Sequence, residues 1–229
     1  TPFTCRTFPR FINDFGALRE MGLSFSCPVA AEMMFDPKYD FSFTEEMNDL
    51  PPTLNDIDAR LYFTLLSARK TAYALVQDST KPLFRCLAEL LDFAEELQGQ
   101  IGALPTVTEK MDFRSVFQNP ELINPQWPEK VAAGDLTAPV GESHFGRQIA
   151  MYFLFRYFLN LGLEGDVLSA AKMAVVGVLV PTYFGTDSWV MHLWSKETEH
   201  SDVNMERYRR LLCTADCLSV PALKSRLDT

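Results

Sequence analysis

The stretch FGRQIAMYFLFRYFLNL, residues 145–161, decides the fold class of this chain. Drawn as a helix, it is apolar around nearly its whole circumference, and its main interruptions are Arg147, Gln148 and Arg156. A helix that is hydrophobic on all sides lies at the centre of a protein rather than on its surface. The stretch therefore predicts a central buried helix, which Gly162 is placed to end.

Helical periodicity continues on the N-terminal side of this stretch. The sequence Pro51-Pro52-Thr53 predicts the start of a first long helix, with Thr53 as its N-cap, and the helix breaks at Asp78. A second helix is expected from Pro82 to about Ile101. Apolar residues recur at spacings of three and four along both: Ile57, Leu61, Leu65, Ala68, Ala72 and Leu75, then Leu83, Leu87, Leu90, Ala94, Leu97 and Ile101. The short connection predicts an antiparallel helical hairpin.

Four further helices are expected after the central one. Asp166 is placed to cap a helix that reaches Val180 and stops before Pro181. The next three are expected to begin at Thr186 or Asp187, to cover residues 202–213, and to open at Ser219-Val220-Pro221. The fold class is therefore predicted as mainly α, a multi-helix bundle over residues 51–229, preceded by an irregular N-terminal module over residues 1–50.

Two parts of the chain are less regular. In the N-terminal module, the spacing of Phe11, Phe15, Leu18 and Met21 predicts a short helix from about Arg10 to Met21, and a second short helix is expected over residues 28–35. Residues 103–140 contain five prolines and little periodicity, so we expect a long loop with one short helix over residues 112–117. A loop of this length is either a functional lid or a variable surface connection.

Composition restricts the function classes. The 229 residues carry a formal net charge of −9, with a pI near 4.9, which disfavours nonspecific binding of nucleic acid. The longest apolar stretch, residues 167–180, includes Lys172 and is shorter than the roughly 20 residues that a membrane span needs. The five cysteines are irregularly spaced, which fits a reducing cytoplasm better than a disulfide framework. We therefore expect a cytoplasmic protein with no membrane or nucleic-acid partner.

Cysteines are also the first candidates for chemistry. Cys5 and Cys27 are each followed by a proline within four residues, and thiolates in loops hold zinc or iron–sulfur clusters. Two thiolates do not complete a four-ligand site, so the alternative is a pair of packed thiols. Cys86 lies on an apolar helix and is expected in the core, and the Cys213 and Cys217 pair is interpreted as structural.

The segments TCRTFPR, residues 4–10, and LSFSCP, residues 23–28, resemble the flagellin lysine N-methylase family. The resemblance implies that Cys5 and Cys27 are metal ligands in the remainder of a cysteine-rich module that binds an iron–sulfur cluster or zinc. The family's upstream cysteine cluster is absent, so a fragment is expected. The resemblance further implies S-adenosylmethionine as methyl donor, and flagellin or another lysine-bearing protein as partner.

The resemblance extends to Glu199-His200 and to the aromatic run around Arg156. A His or Glu can deprotonate a substrate lysine, which must lose its proton before it attacks a methyl donor. Arg156 must be paired, because its surroundings are apolar, and Glu142, Asp58 and Glu199 are the candidate partners. It either fixes a carboxylate of the substrate or cofactor, or forms an internal salt bridge.

Two functions remain open at this point. The first is S-adenosylmethionine-dependent methylation of lysines, with Glu199, His200 and Arg156 as catalytic candidates. The second is a non-catalytic helical module that binds a partner protein beside a metal-cluster domain. The sequence contains no glycine-rich donor motif after a strand and no radical-type cysteine motif, so methyl transfer depends on the resemblance alone.

Overall fold

The computed structural model describes residues 8–47, 51–52, 57–103 and 105–228. Within these ranges the fold is mainly α, as predicted: nine α-helices accompany one two-stranded antiparallel sheet. The elements are β1 (Arg10–Phe15), β2 (Leu18–Leu23), α1 (Pro28–Phe35), α2 (Ala59–Gln77), α3 (Leu83–Ile101), α4 (Gln126–Ala133), α5 (His144–Leu163), α6 (Val167–Phe184), α7 (Ser188–Glu199), α8 (Asp202–Thr214) and α9 (Val220–Leu227), with 3₁₀ turns at Phe113–Phe117 and Asp216–Leu218.

The predicted helix over residues 10–21 is wrong, because this segment is the β1–β2 hairpin. Gly16 occupies a turn of two residues with φ of +69°, and Phe15 pairs with Leu18 across it. A positive φ at the first turn position suits a tight hairpin and is readily adopted by glycine. On the hairpin, the apolar residues whose spacing predicted a helix lie in different environments. Phe15 is buried in the core, whereas Met21 is exposed.

The central pair of helices, α5 and α6, forms the middle of the molecule, as the all-round apolar sequence predicts. Gly177 of α6 lies so close to α5 that a Cβ there would stand 2.5 Å from the ring of Phe153. Helix α6 is long and apolar enough by length and composition to cross a membrane, but 94% of it is buried inside the protein. Such burial is typical of the core helix of a soluble protein.

Helix α6 does not stop before Pro181 but continues to Phe184. A proline inside a helix removes one hydrogen bond and costs about 3 kcal/mol or more. The last turn nevertheless forms because its aromatic rings pack against the 3₁₀ turn: Tyr183 lies 5.8 Å from Phe113 and Phe184 lies 4.8 Å from Phe117, centroid to centroid.

The connection over residues 103–140 contains more structure than a long loop. The expected short helix is the 3₁₀ turn capped by Asp112, but α4 was not predicted. Trp127 of α4 is buried and its indole nitrogen donates to the carbonyl of Phe117 at 3.0 Å. The buried carboxylate of Glu197 accepts hydrogen bonds from the backbone of Ile123 and Asn124. In the part of the chain described here, this connection is therefore fastened to the helices.

The helix starts are set mainly by capping side chains. Helix α2 begins at Ala59 with Asp58 as its cap, later in the chain than the start predicted at Pro51-Pro52-Thr53, and Thr53 itself lies outside the described residues. Asp166, Asp187 and Ser219 cap the helices that the sequence assigns to them, each by accepting a backbone hydrogen bond. The proposed division near residue 50 also falls beside residues outside the described ranges.

Candidate functional site

Arg156 and Glu199 form a buried ion pair. Their side chains are 15% and 3% exposed, and Nη1 of Arg156 lies 3.1 Å from Oε1 of Glu199. Of the three partners that the sequence left open, the structure therefore places Glu199 beside Arg156. Glu142 pairs with Arg147 instead, and Asp58 caps α2.

Both carboxylate oxygens of Glu199 are occupied. The hydroxyl of Tyr157 donates to Oε1, and the hydroxyl of Ser195, one turn earlier on α7, donates to Oε2. Burial raises the pKa of Tyr157 well above its usual value, and it also raises the pKa of Tyr152. The two phenols are thus neutral hydrogen-bonding groups at physiological pH.

The guanidinium of Arg156 remains charged at this depth. Burial is the largest single effect and disfavours its charge, but Glu199, Tyr152 and Tyr157 together outweigh burial and raise the pKa of Arg156. Nη1 of Arg156 also donates to the hydroxyl of Tyr152 at 2.5 Å. A void beside the pair, lined in part by Phe153 and Trp194, leaves no room for a water molecule. This geometry suits an internal salt bridge better than a group that exchanges protons with a substrate.

The ion pair also holds the N-terminal hairpin. Arg156 lies over the ring of Phe11, with 4.6 Å from its guanidinium carbon to the ring centroid, and it donates to the hydroxyl of Ser24 at 3.2 Å. The amide of Asn13 donates to the Arg156 carbonyl at 3.0 Å. The hairpin, and with it Ser24 of the second resembling segment, is therefore fixed to α5.

The described ends of the two resembling segments lie side by side. The backbone nitrogen of Ser24 donates to the carbonyl of Pro9 at 2.8 Å, directly beyond the paired strands. Cys27 is half-buried at the N-cap of α1, where its side chain makes no capping hydrogen bond. Cys5 lies outside the described residues, so its assignment as a ligand remains a prediction. Among the residues described, no three His, Cys, Asp or Glu side chains gather as a metal site.

His200 differs from its neighbour Glu199 because it is exposed. Its ring lies edge-on to Phe8, with 6.0 Å between centroids. Its pKa is lowered chiefly by partial desolvation, which the cations Arg156 and Lys196 reinforce and Glu199 opposes. An exposed imidazole that is neutral at pH 7 can accept a proton. The structure therefore separates the three catalytic candidates into one accessible group and one buried pair.

The remaining cysteines follow their sequence interpretation. Cys86 is fully buried in the core. Burial raises the pKa of Cys213, whose thiol donates to Asp166 at 3.4 Å, and it raises the pKa of Cys217 to about 11. Both are thiols rather than thiolates at neutral pH, which fits a structural role.

Sequence reasoning missed a groove beside α8. It has a volume of about 540 Å³, is open to solvent, and is lined by Asp166, Asp202, Met205, Glu206, Arg209, Arg210 and Cys213. The nearby Lys172 is 3% exposed and donates to the carbonyl of Leu212 at 2.6 Å. Burial lowers the pKa of Lys172. The signal for this buried lysine was a charged residue within an apolar helix, and the sequence interpretation used it only as an argument against a membrane span.

Comparison with known proteins identifies no family. No family model matches the chain, and neither the curated proteins nor the solved structures include a significant match.

Proposed function

We propose that this chain is the helical body of a cytoplasmic lysine N-methylase that acts on flagellin or on another lysine-bearing protein. The observation that carries the proposal is the meeting of the two resembling segments, through the hydrogen bond from Ser24 to Pro9. The described ends of two segments that are separate in the sequence thus lie side by side, as expected if the segments serve one site.

The described side chains suggest distinct roles. His200 is the accessible candidate for taking the proton from the substrate lysine, whose amine then attacks the methyl group. Arg156 and Glu199 act as positioning residues, because their ion pair connects α7, which ends at Glu199, to α5 and to the hairpin. S-adenosylmethionine would supply the methyl group. The described residues include no donor motif that fits it, and we assign it no position.

The test is methyl transfer from labelled S-adenosylmethionine to purified flagellin by the full-length protein. We expect incorporation into lysines with the wild type and a large loss with His200→Ala. His144→Ala is the matched control, since His144 is also exposed and contacts Tyr39 and Gln148 instead. The lowered pKa of His200 predicts that the acidic limb of the rate profile falls below pH 6.5. No incorporation by the wild type would refute the enzymatic function.

A second function has its own observation. The outer face of the hairpin carries Ile12, Met21 and Leu23, which are 41%, 60% and 42% exposed. Ile12 pairs with Met21, so their side chains share this face. Exposed apolar residues grouped on one face are typical of protein-binding surfaces. This favours the alternative, a non-catalytic module that binds its partner through the hairpin.

The alternative predicts binding without methylation. Met21→Asp should weaken flagellin binding, measured by calorimetry, whereas Met47→Asp should not, although Met47 is fully exposed. Binding that depends on Met21, together with no methyl incorporation, would favour the module over the enzyme.

A further inference from the structure

Residues 39–47, which we call the strap, have no regular secondary structure and lie against α2 and α5. Two phenylalanines of the strap pack on Phe155 of α5, with ring centroids 6.1 Å away for Phe41 and 5.3 Å away for Phe43. Phe43 also packs on Tyr73 of α2, with 5.1 Å between centroids. Side chains two positions apart point the same way in an extended chain. The strap is therefore an extended peptide that two aromatic side chains seat on a pair of helices.

The strap is also recognised through polar groups at its beginning. The amide nitrogen of Gln148 donates to the carbonyl of Tyr39 at 3.1 Å, and Nε2 of His144 lies 3.2 Å from the same oxygen. The carboxylate of Asp40 lies 3.6 Å from that ring nitrogen. The surface formed by α2 and α5 thus contacts a backbone carbonyl, a carboxylate and two aromatic rings in this order along the strap.

These contacts hold the strap weakly. Tyr39 is 49% exposed and Phe43 is 48% exposed, and Met47 at the far end is fully exposed. No backbone group of residues 41–47 hydrogen-bonds to the helices that the structure describes. A segment with few buried apolar contacts and a solvated backbone opens at a low free-energy cost. We therefore expect the strap to leave this surface without unfolding of the helices.

The strap leaves two polar atoms beneath it unpaired. Gln148 is only 5% exposed, and its Oε1 is buried with no hydrogen-bond partner among the described residues. The buried hydroxyl of Tyr73 also lacks a partner there. Buried polar atoms without a partner are rare and costly in native proteins. Because both side chains contact the strap, its aromatic rings fit this surface better than its polar groups do.

We propose that the surface formed by α2 and α5 is the docking site for an extended segment of a partner protein, and that the strap occupies this site as an internal competitor. The segment has the chemistry of the strap, a carboxylate followed by two aromatic residues two positions apart. Its carboxylate lies beside His144 and its rings lie on Phe155 and Tyr73. It also supplies the hydrogen bonds that Gln148 and Tyr73 lack. Methylation plays no part in this inference.

The test is fluorescence anisotropy of a labelled peptide, KYDFSFTEE, which copies residues 38–46, titrated with the full-length protein. The double variant Phe41→Ser/Phe43→Ser loses both aromatic anchors of the strap and should bind the peptide at least about 10-fold more tightly than the wild type. A competitor that fills about nine-tenths of the sites weakens the apparent affinity by this factor. Met47→Ser changes a fully exposed strap residue and should bind as the wild type does. A peptide with serine at both phenylalanine positions should not bind.

A second measurement locates the bound peptide. A benzophenone side chain in place of the second phenylalanine of the peptide should cross-link to α2 or α5 of the double variant on irradiation, as identified by mass spectrometry. Circular dichroism checks that the variant retains its helices.

Four results would overturn the proposal. The first three are no peptide binding by the folded double variant, equal affinities in the double variant and the wild type, and cross-links outside α2 and α5. The fourth is a wild-type dimer in sedimentation that dissociates in the double variant, since it would assign the site to the strap of a second copy. A monomeric wild type is expected.

Discussion

Arg69 of α2 binds Glu20 of β2 through both ends of its guanidinium. Nη1 lies 2.9 Å from Oε2 and Nη2 lies 2.5 Å from Oε1, and both side chains are less than one-tenth exposed. The Arg69 guanidinium also lies over the ring of Tyr73, 5.6 Å from its centroid. Together with Arg156, this second buried arginine fastens the hairpin to the helical body at two separate points.

Removing one partner of the Arg69–Glu20 pair should destabilise the fold strongly. Glu20→Gln leaves the buried guanidinium without a counter-charge, which typically costs about 3–5 kcal/mol. The free energy of unfolding from urea titration measures the effect. Asp92→Asn is the control, because it removes an exposed pair with Lys224 and should cost about 1 kcal/mol or less. Equal effects in the two variants would show that the hairpin contributes little to stability.

Two glycines in helices should respond to alanine in opposite directions. Gly177→Ala places a methyl group 2.5 Å from Phe153 and should destabilise the protein by about 1–3 kcal/mol through overpacking of α5 against α6. Gly99→Ala meets no atom within 4 Å on α3 and should stabilise it by about 0.5–1 kcal/mol. Thermal unfolding of both variants provides the measurement. A stabilised Gly177→Ala would contradict the close packing of the two central helices.

Buried Lys172 predicts a pH dependence of stability. Burial lowers its folded-state pKa below the usual 10.5, so the unfolded chain binds the proton more tightly. The cost of the buried charge is present at neutral pH and is relieved as pH rises through the folded-state pKa towards 10.5. Lys172→Met should therefore unfold at higher urea concentration than the wild type at pH 7, with a difference that shrinks towards pH 10. A difference that stays constant over this range would assign the effect to packing alone.

The Arg156–Glu199 pair makes a prediction that separates folding from chemistry. Glu199→Gln should lower the free energy of unfolding by about 3–5 kcal/mol, because it leaves Arg156 buried without its counter-charge. His200→Ala should leave stability within about 0.5 kcal/mol, as expected for an exposed residue. Urea titration compares the two variants. If His200→Ala instead destabilised the protein more than Glu199→Gln, His200 would be the structural residue and Glu199 would become the candidate for proton transfer.

The helices were largely predictable because their signals are local. The all-round apolar composition of α5 and the caps at Asp166, Asp187 and Ser219 can be identified within a single turn or two. The hairpin was not predictable in this way, because an apolar spacing of three and four residues fits both a helix and two strands joined at Gly16. That glycine was the available warning, since its positive φ belongs to a turn.

The candidate site was predictable only in part. Arg156 stands out in an apolar run, so its burial and its need for a partner could be inferred from the sequence. That its partner is Glu199 could not be inferred, because the two residues are brought together by the packing of helices that are distant in the sequence.

The buried carboxylate of Glu197 has a consequence for the order of assembly. Its oxygen accepts hydrogen bonds from the backbone N–H groups of Ile123 and Asn124, as a carbonyl group of a neighbouring strand would. These partners are separated by more than seventy positions of sequence. Such long-range contacts cannot form until the intervening chain has closed. We therefore expect the segment around Ile123 to become ordered only after α7 has docked, and hydrogen exchange at its amides should report the detachment of that helix.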